Sequence, residues 1–275
     1  MTALQEKYQK LEQNLSELHA VAVAFSGGVD SAFLLAVLAK IPGIKKLLAV
    51  SVASAFVPQK EIDLAGTIAA ESRADYHCLE VDILSVPDVV CNTPQRCYHC
   101  KKVLFSAVRQ AAEKQGIFTV LHGVNQDDLS DYRPGLKAAD ELGFLSPLAA
   151  AGLTKADIRE LSRQMGLDTW NKLSQSCLAT RIPFHTPVTA QNLKQVEQAE
   201  SVLQNLGFDQ VRVRWYGKMA RVEVAPEMIE KFMTENMRQA VSRAFSRLGF
   251  VQTAIDIDGY KTGKMNHEIL TGPTG

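Results

Sequence analysis

What this sequence lacks narrows its function first. No apolar run in the 275 residues approaches the roughly twenty needed to span a bilayer, and residues 1–20 are too polar for a secretory leader. A cytoplasmic protein with no membrane partner is therefore expected. Excess charge is lacking too. The 30 Lys and Arg balance the 30 Asp and Glu, so no overall basic field draws in nucleic acid. No Gly-Lys-Ser/Thr phosphate loop and no dinucleotide fingerprint with its glycine spacing occurs. There is no internal repeat and no low-complexity segment. Cysteines number five, and in a chain of this kind they suit chemistry or metal binding better than structural disulfides. What remains is ample: 46% hydrophobic and 22% charged residues provide for a core, and the length suits two domains.

The chain is organised around Val21-Ala22-Val23-Ala24-Phe25 followed by Ser26-Gly27-Gly28-Val29-Asp30-Ser31. A short apolar strand enters a glycine turn, and an apolar helix leaves it. The glycines let backbone N–H groups face a ligand where a Cβ would otherwise stand. The helix N-terminus adds unpaired donors and partial positive charge, and Ser26 and Ser31 can add hydroxyls. An acidic Asp30 inside an anion site makes sense when a divalent cation such as Mg²⁺ bridges it to phosphates. The SGGVDS stretch resembles the PP-loop of the N-type ATP pyrophosphatases. That resemblance implies an ATP-binding enzyme that adenylates a substrate and releases pyrophosphate.

Around this loop the pattern predicts helix 2–19, strand 46–52, helix 58–72 and strand 75–81. Strands alternating with helices imply an α/β fold, a parallel sheet with helices on both faces. Ligands of such sheets bind beyond the carboxyl ends of the strands. Ser51, Val52 and Ala53 end a strand on that rim, and their backbone is a candidate adenine contact. Thr93 and Pro94 open a helix to about residue 115. A strand at 119–123 leads into Asn125, Asp127 and Asp128, then Asp131 and Arg133. Asp128 is a candidate second metal ligand. Thr154 and Asp157 can satisfy the first amides of a further helix. After Pro183 the texture changes to helix (189–206), hairpin around Gly217, helix (227–248, broken near Thr234) and closing strand (251–257). The expected domains are 1–182, the ATP pyrophosphatase domain, and 183–275, a small α+β domain for substrate binding or oligomerisation.

Cys97 and Cys100, three apart at a helix start, present both thiols on one face, where the N-terminus favours thiolates. Cys177 lies downstream in a polar loop. Three thiolates suit an iron–sulfur cluster with one iron free of protein ligands. Zinc with His99 or His122 as fourth ligand, and a redox disulfide between Cys97 and Cys100, stay open. Cys78 and Cys91 read as buried and inert. Arg212 and Arg214, two apart in a strand, share a face that either clamps a phosphate or is simply an exposed face with charges such as Glu223. Glu200 is a candidate partner for one of them.

Taken together, SGGVDS, NTPxxCYxCK, DYRPGLKA, WNKxxxSCLATRIP and FDQVRVRW resemble the LarE family over nearly the whole length. These are sulfur transferases of nickel-pincer cofactor biosynthesis. The resemblance implies adenylation of pyridinium-3,5-biscarboxylic acid mononucleotide, a small-molecule substrate, and its conversion to a thiocarboxylate. One branch sacrifices the sulfur of its own cysteine, near Ser176 here. Another binds a [4Fe-4S] cluster through three cysteines that Cys97, Cys100 and Cys177 match, with sulfide or another sulfur donor as co-substrate. Arg181 would support the nucleotide or substrate phosphate, and Arg212 and Arg214 would grip the mononucleotide's phosphate. A homo-oligomer is expected. The runner-up readings are a tRNA 2-thiocytidine synthetase, which the charge balance disfavours, and an ATP-dependent amide synthetase, which needs no cysteine triad.

Overall fold

Five small and branched residues, Ala20–Ala24, form β1, the strand that the first part of the molecule flanks. The computed structural model describes residues 2–130, 134–173 and 175–261. Helix α1 (Ala3–Ser16) precedes β1 and starts at a capping box in which Thr2 and Gln5 satisfy each other's amides. After β1 come α2 (Val29–Leu38), β2 (Lys46–Ala53), α3 (Gln59–Glu71) and β3 (Asp75–Glu80). The chain continues through α4 (Pro87–Val90), α5 (Arg96–Lys114), β4 (Thr119–His122), α6 (Pro134–Glu141), α7 (Pro147–Ala150) and α8 (Lys155–Gln164).

The strands β1 to β4 form one parallel sheet in the order β3-β2-β1-β4. Val21 and Val23 of β1 pack with Leu11 and Leu15 of α1, the apolar face of α2, and Ile158 and Leu161 of α8. Ala22, between them, packs on the other side with Phe105, Val108 and Ala112 of α5. A strand covered on both faces needs a continuous apolar run, which is why AVAVA does not alternate with polar residues. The expected α/β class with a parallel sheet is what forms. Because β1 connects to β2 on one side and lies beside β4 on the other, the strand order reverses at β1, and sheets of this kind take their ligands beyond the carboxyl ends of the strands at such a reversal.

Beyond, α9 (Ala190–Asn205) is capped by Thr189 and Asn192, and β5 (Val211–Tyr216) and β6 (Met219–Val224) make an antiparallel hairpin at Gly217 (φ 67°). A 3₁₀ stretch at Pro226–Met233 stops at Thr234, where α10 (Glu235–Arg247) begins, so the expected break is present. β7 (Gln252–Ile255) joins β6 in parallel. The core here is Leu203, Phe208, Phe232, Val241, Phe245 and Phe250.

The chain divides into two units: Met1–Ile83 with Cys97–Gln175, and Leu84–Arg96 with Ser176–Gly275. The expected break after residue 182 lies inside the second unit because Asn92 and Arg96 hold that stretch. Asn92 Nδ2 donates to the carbonyls of Ile182 (3.3 Å), Pro183 (2.7 Å) and Thr186 (2.9 Å), and Arg96 donates to that of Ala179 (3.0 Å).

Three local expectations are corrected. Helix α5 starts at Arg96, not at Thr93-Pro94, which form a turn closed by the Arg96 amide on the Thr93 carbonyl. Cys78 and Cys91 are exposed: Cys78 lies on the edge strand β3, whose residues are only partly covered, and Cys91 caps the four-residue helix α4. Among the described residues, no helix is long and apolar enough to cross a membrane. Asp131, Arg133 and the first residues of the DYRPGLKA motif, like Ser174, lie outside the described residues.

Candidate functional site

The glycine turn at the end of β1 is built by contacts that only glycine permits. Gly27 has φ +65°, and a Cβ there would come within 3.0 Å of both Cα and Cβ of Ala65 on α3. Gly28, with ordinary dihedrals, is the N-cap of α2. On the other side Gly123, just after β4, lies so close to the start of α2 that a Cβ would sit 2.9 Å from the Ser31 amide nitrogen. Glycine on both flanks thus lets α3 and the β4 rim close on the loop. The two serine hydroxyls bridge it internally: Ser31 Oγ donates to the Gly28 carbonyl (3.2 Å) and lies 3.2 Å from Ser26 Oγ. Ser51, on β2, is buried and donates to the Phe25 carbonyl (2.7 Å), bracing the strand just before the turn.

Asp30 stands in the first turn of α2. Its carboxylate pairs with Lys155 Nζ (2.5 Å) and accepts a long bond from Asn125 Nδ2 (3.4 Å). The Lys155 amide donates to Asp127 Oδ2 (2.8 Å), tying the first turn of α8 to the loop after β4. Asp128 is buried. Its Oδ2 accepts from the Asn125 amide (3.1 Å), while Asn125 Oδ1 accepts from the amides of Asp127 and Asp128 (2.9 and 3.2 Å). This reciprocal bonding shapes the rim beside Asp30. Thr154 and Asp157 cap α8 as expected (3.2 Å, Asp157 amide to Thr154 Oγ1), and Lys7 joins Asp157 at 2.6 Å.

Sequence reasoning missed two cations at this loop. Lys155 reaches Asp30, and Lys172 Nζ donates to the Gly27 carbonyl (3.0 Å) while pairing with Glu61 of α3 (2.7 Å). Lys172 falls inside WNKxxxSCLATRIP, one of the stretches that carried the family resemblance. No local spacing signals that residue 172 meets residue 27. The oxygen donors and glycine cradle suit a nucleotide with a divalent cation: Asp30 offers a carboxylate on the loop itself, and the helix N-terminus faces it.

Cys97 and Cys100 lie in the first turns of α5, Cys97 half-buried and Cys100 buried, in the first unit. Cys177 is half-buried in the second unit, where it is the N-cap of a 3₁₀ turn, Leu178–Arg181. Thiolates in this number are the donor type an iron–sulfur cluster takes. Among the described residues, no three His, Cys, Asp or Glu side chains are gathered as a ready metal site. His122 is committed elsewhere. It ends β4 with a ring nitrogen 2.6 Å from Ser146 Oγ, edge-on to Phe105 and Phe144. Burial, aided by the charge of Lys101, pushes its pKa down to about 4.

In the second unit Arg181, Arg212 and Arg214 are buried. Arg181, 1% exposed, forks onto Glu200 through Nε and Nη2 (2.8 and 3.0 Å). Its Nη1 faces the carbonyls of Ser176 (2.8 Å) and Cys177 (3.0 Å) and the hydroxyls of Ser176 (2.8 Å) and Thr180 (3.0 Å). Arg181 therefore organises the backbone around Cys177. Arg214 forks onto Glu223 (3.0 and 2.7 Å) and donates to the Thr180 carbonyl (2.7 Å). Arg221 also reaches Glu223 (3.2 Å) and Asp256 (3.5 Å). Arg212 Nη1 donates to the Val211 carbonyl (2.7 Å), and the guanidinium stands 5.1 Å from the Tyr260 ring centroid. Burial first, then the neighbouring Arg181, lowers the pKa of Arg212, though an arginine stays charged.

Two expectations change here. The Arg212/Arg214 face of β5 is not an exposed charged face, since the two arginines are 3% and 6% exposed. Glu200 takes Arg181 as its forked partner while also lying in electrostatic reach of Arg212, and its Oε1 accepts the Val213 amide (2.9 Å).

No protein-family model matches the chain. Whole-length relatives do. The chain is 37% identical over 97% of its length, and 96% of the relative's, to a Lactiplantibacillus plantarum protein named pyridinium-3,5-bisthiocarboxylic acid mononucleotide synthase. It is 35% identical over 98% of its length to an uncharacterised protein of Synechocystis sp., of which 99% is covered. A third, uncharacterised relative from Methanocaldococcus jannaschii is 28% identical over 94% of this chain and 98% of its own.

Proposed function

The chain belongs to the LarE family, that of the pyridinium-3,5-bisthiocarboxylic acid mononucleotide synthase, and from that premise we propose that it is an ATP-dependent sulfur transferase of nickel-pincer cofactor biosynthesis. Its substrate on this reading is pyridinium-3,5-biscarboxylic acid mononucleotide. A substrate carboxylate oxygen attacks the α-phosphorus of ATP, the bond to the β-phosphate oxygen breaks, and pyrophosphate leaves. A sulfide sulfur then attacks the acyl carbon, and AMP departs with the electron pair of the broken C–O bond, leaving a thiocarboxylate.

The observation that carries the ATP half is the turn itself. Its left-handed Gly27 lets α3 approach to van der Waals contact, and the N-terminus of α2 follows immediately. Asp30 would hold Mg²⁺ on this reading, and Lys155 and Asn125 hold its carboxylate in place. The buried arginines support the substrate half. Arg181 pairs with Glu200, Arg214 and Arg221 pair with Glu223, and Arg212 stands in the field of Arg181 and Arg214, a gathering of guanidinium groups suited to a phosphate monoester. Arg212 and Arg214 are its proposed ligands, with Arg181 holding the loop beneath them.

Cys97, Cys100 and Cys177 would hold a [4Fe-4S] cluster whose fourth iron, lacking a protein ligand, supplies a place for the sulfide to be transferred. The test separates the two halves of the reaction. Asp30→Ala should lose substrate-dependent pyrophosphate release and keep its fold. Serine at Cys97, Cys100 or Cys177 should keep pyrophosphate release but lose cluster absorbance and thiocarboxylate together. Wild-type pyrophosphate formation in Asp30→Ala would overturn the ATP assignment. A mass loss of about one H₂S at Cys177 after turnover, without bound iron, would replace the cluster by a sacrificed cysteine.

A further inference from the structure

We infer that Lys172 is a positioning residue for ATP binding: it fixes the plane of the Gly27–Gly28 peptide so that its N–H end is presented to the nucleotide. The inference rests on reading the glycine turn as the ATP cradle. Lys172 Nζ donates to the Gly27 carbonyl at 3.0 Å. The peptide is trans, so the Gly28 N–H on the same plane points the opposite way. There it makes only a long contact with Ser26 Oγ (3.4 Å), on the exposed side of the turn. A peptide between two glycines is the easiest in the chain to rotate, since neither flanking residue has a Cβ to resist it. Something must set its orientation, and the lysine does so from the carbonyl side.

The lysine is itself aimed by a built support. Arg159 of α8 donates Nη1 to the Trp170 carbonyl (2.9 Å) and Nη2 to the Lys172 carbonyl (2.8 Å), clamping the backbone on either side of residue 171. Glu61 of α3 pairs with the ammonium at 2.7 Å, both side chains being 16% exposed. Arg159 thus fixes the backbone from which the side chain reaches, and the ammonium gives one hydrogen to Glu61 and one to the turn. An ordinary structural ion pair would need only Glu61.

The experiment compares Lys172→Met, Lys172→Arg, Glu61→Gln and the Glu61→Gln/Lys172→Met double variant. ATP affinity is measured by calorimetry, and the Gly28 amide is followed by NMR of protein labelled with ¹⁵N-glycine. Lys172→Met should weaken ATP by about tenfold and shift the Gly28 amide resonance. Lys172→Arg should recover part of both, and Glu61→Gln should bind ATP nearly as wild type does. The double variant removes the carboxylate stranded by Lys172→Met, so it restores stability without restoring affinity. Recovery of wild-type affinity in the double variant, or equal losses in Glu61→Gln and Lys172→Met, would reduce Lys172 to a structural ion-pair partner and overturn the inference. So would unchanged affinity in a folded Lys172→Met. Failure of the wild-type protein to bind ATP at all would instead overturn the reading of the turn, and this inference with it.

Discussion

Arg181 decides between two roles that make different demands, and its replacement separates them. Arg181→Met keeps a stem of similar length and removes every guanidinium hydrogen. Glu200, with 8% of its side chain exposed, then keeps only the Val213 amide as a hydrogen-bond donor among the contacts described above. The carbonyls of Ser176 and Cys177 lose their guanidinium donor as well. Removing one partner of a buried pair costs about 3–5 kcal/mol, because the other charge stays buried. The Ser176 carbonyl loses its guanidinium donor besides, whereas that of Cys177 keeps the Thr180 amide (3.0 Å) and hydroxyl (2.8 Å), which places this case at about 4 kcal/mol. Arg181→Lys keeps the charge but offers a single nitrogen in place of the fork, and should cost about 2 kcal/mol. Arg181→Met/Glu200→Gln should recover part of the loss. A chain of two units need not unfold in one step, so urea unfolding is followed through Trp215 of β5, whose indole donates to Gln195 Oε1 (2.7 Å), in a Trp170→Phe background that removes the only other tryptophan. If Arg181→Met unfolds within about 1 kcal/mol of its parent and loses only substrate binding, Arg181 is a ligand and not a scaffold, and the reasoning fails.

Other predictions concern the first unit. Gly27→Ala should lose about 3 kcal/mol, from the left-handed backbone and the collision with Ala65, whereas Gly28→Ala, whose Cβ meets only Ser26 Oγ at 3.4 Å, should stay within about 1 kcal/mol of wild type. The opposite order in denaturant titrations would show the turn to be built differently. His122 binds its proton at about pH 4 in the fold and near its ordinary 6.5 when unfolded. Its contribution is therefore complete above pH 6.5 and declines as pH falls toward 4, leaving the protein about 2 kcal/mol less stable at pH 5 than at pH 7.5. His122→Asn should flatten that part of the profile, and an unchanged pH slope in the variant would contradict the assignment.

The sequence discloses what neighbours along the chain decide. A glycine pair between an apolar strand and an apolar helix forms its turn locally, Thr154 and Asp157 cap a helix three residues apart, and Thr234 marks a break that the structure contains. It is silent where the partner is distant. Nothing near residue 172 announces the carbonyl of residue 27, and an arginine that holds a buried glutamate reads the same as one that holds a phosphate. The alternation Val211-Arg212-Val213-Arg214 suggests one wet face, yet Glu223, Thr180 and Tyr260 meet the arginines, and charge pairing takes the place of water there. Cys78 shows the reverse case, since an apolar-looking run lies at a sheet edge that sequence alone does not reveal.

The chain passes from one unit to the other three times, at Ile83–Leu84, Arg96–Cys97 and Gln175–Ser176. The consequence is one of authorship: no continuous fragment encodes the second unit. A gene piece beginning at Ser176 would yield a polypeptide without Asn92, whose fully buried amide fastens Ile182, Pro183 and Thr186, and without Arg96. During synthesis, residues 84–96 leave the ribosome about eighty residues before the first of their partners and must wait for them. Cut-and-splice engineering of this protein, including transplantation of its Cys177 turn into another scaffold, therefore has to carry two separate stretches of chain.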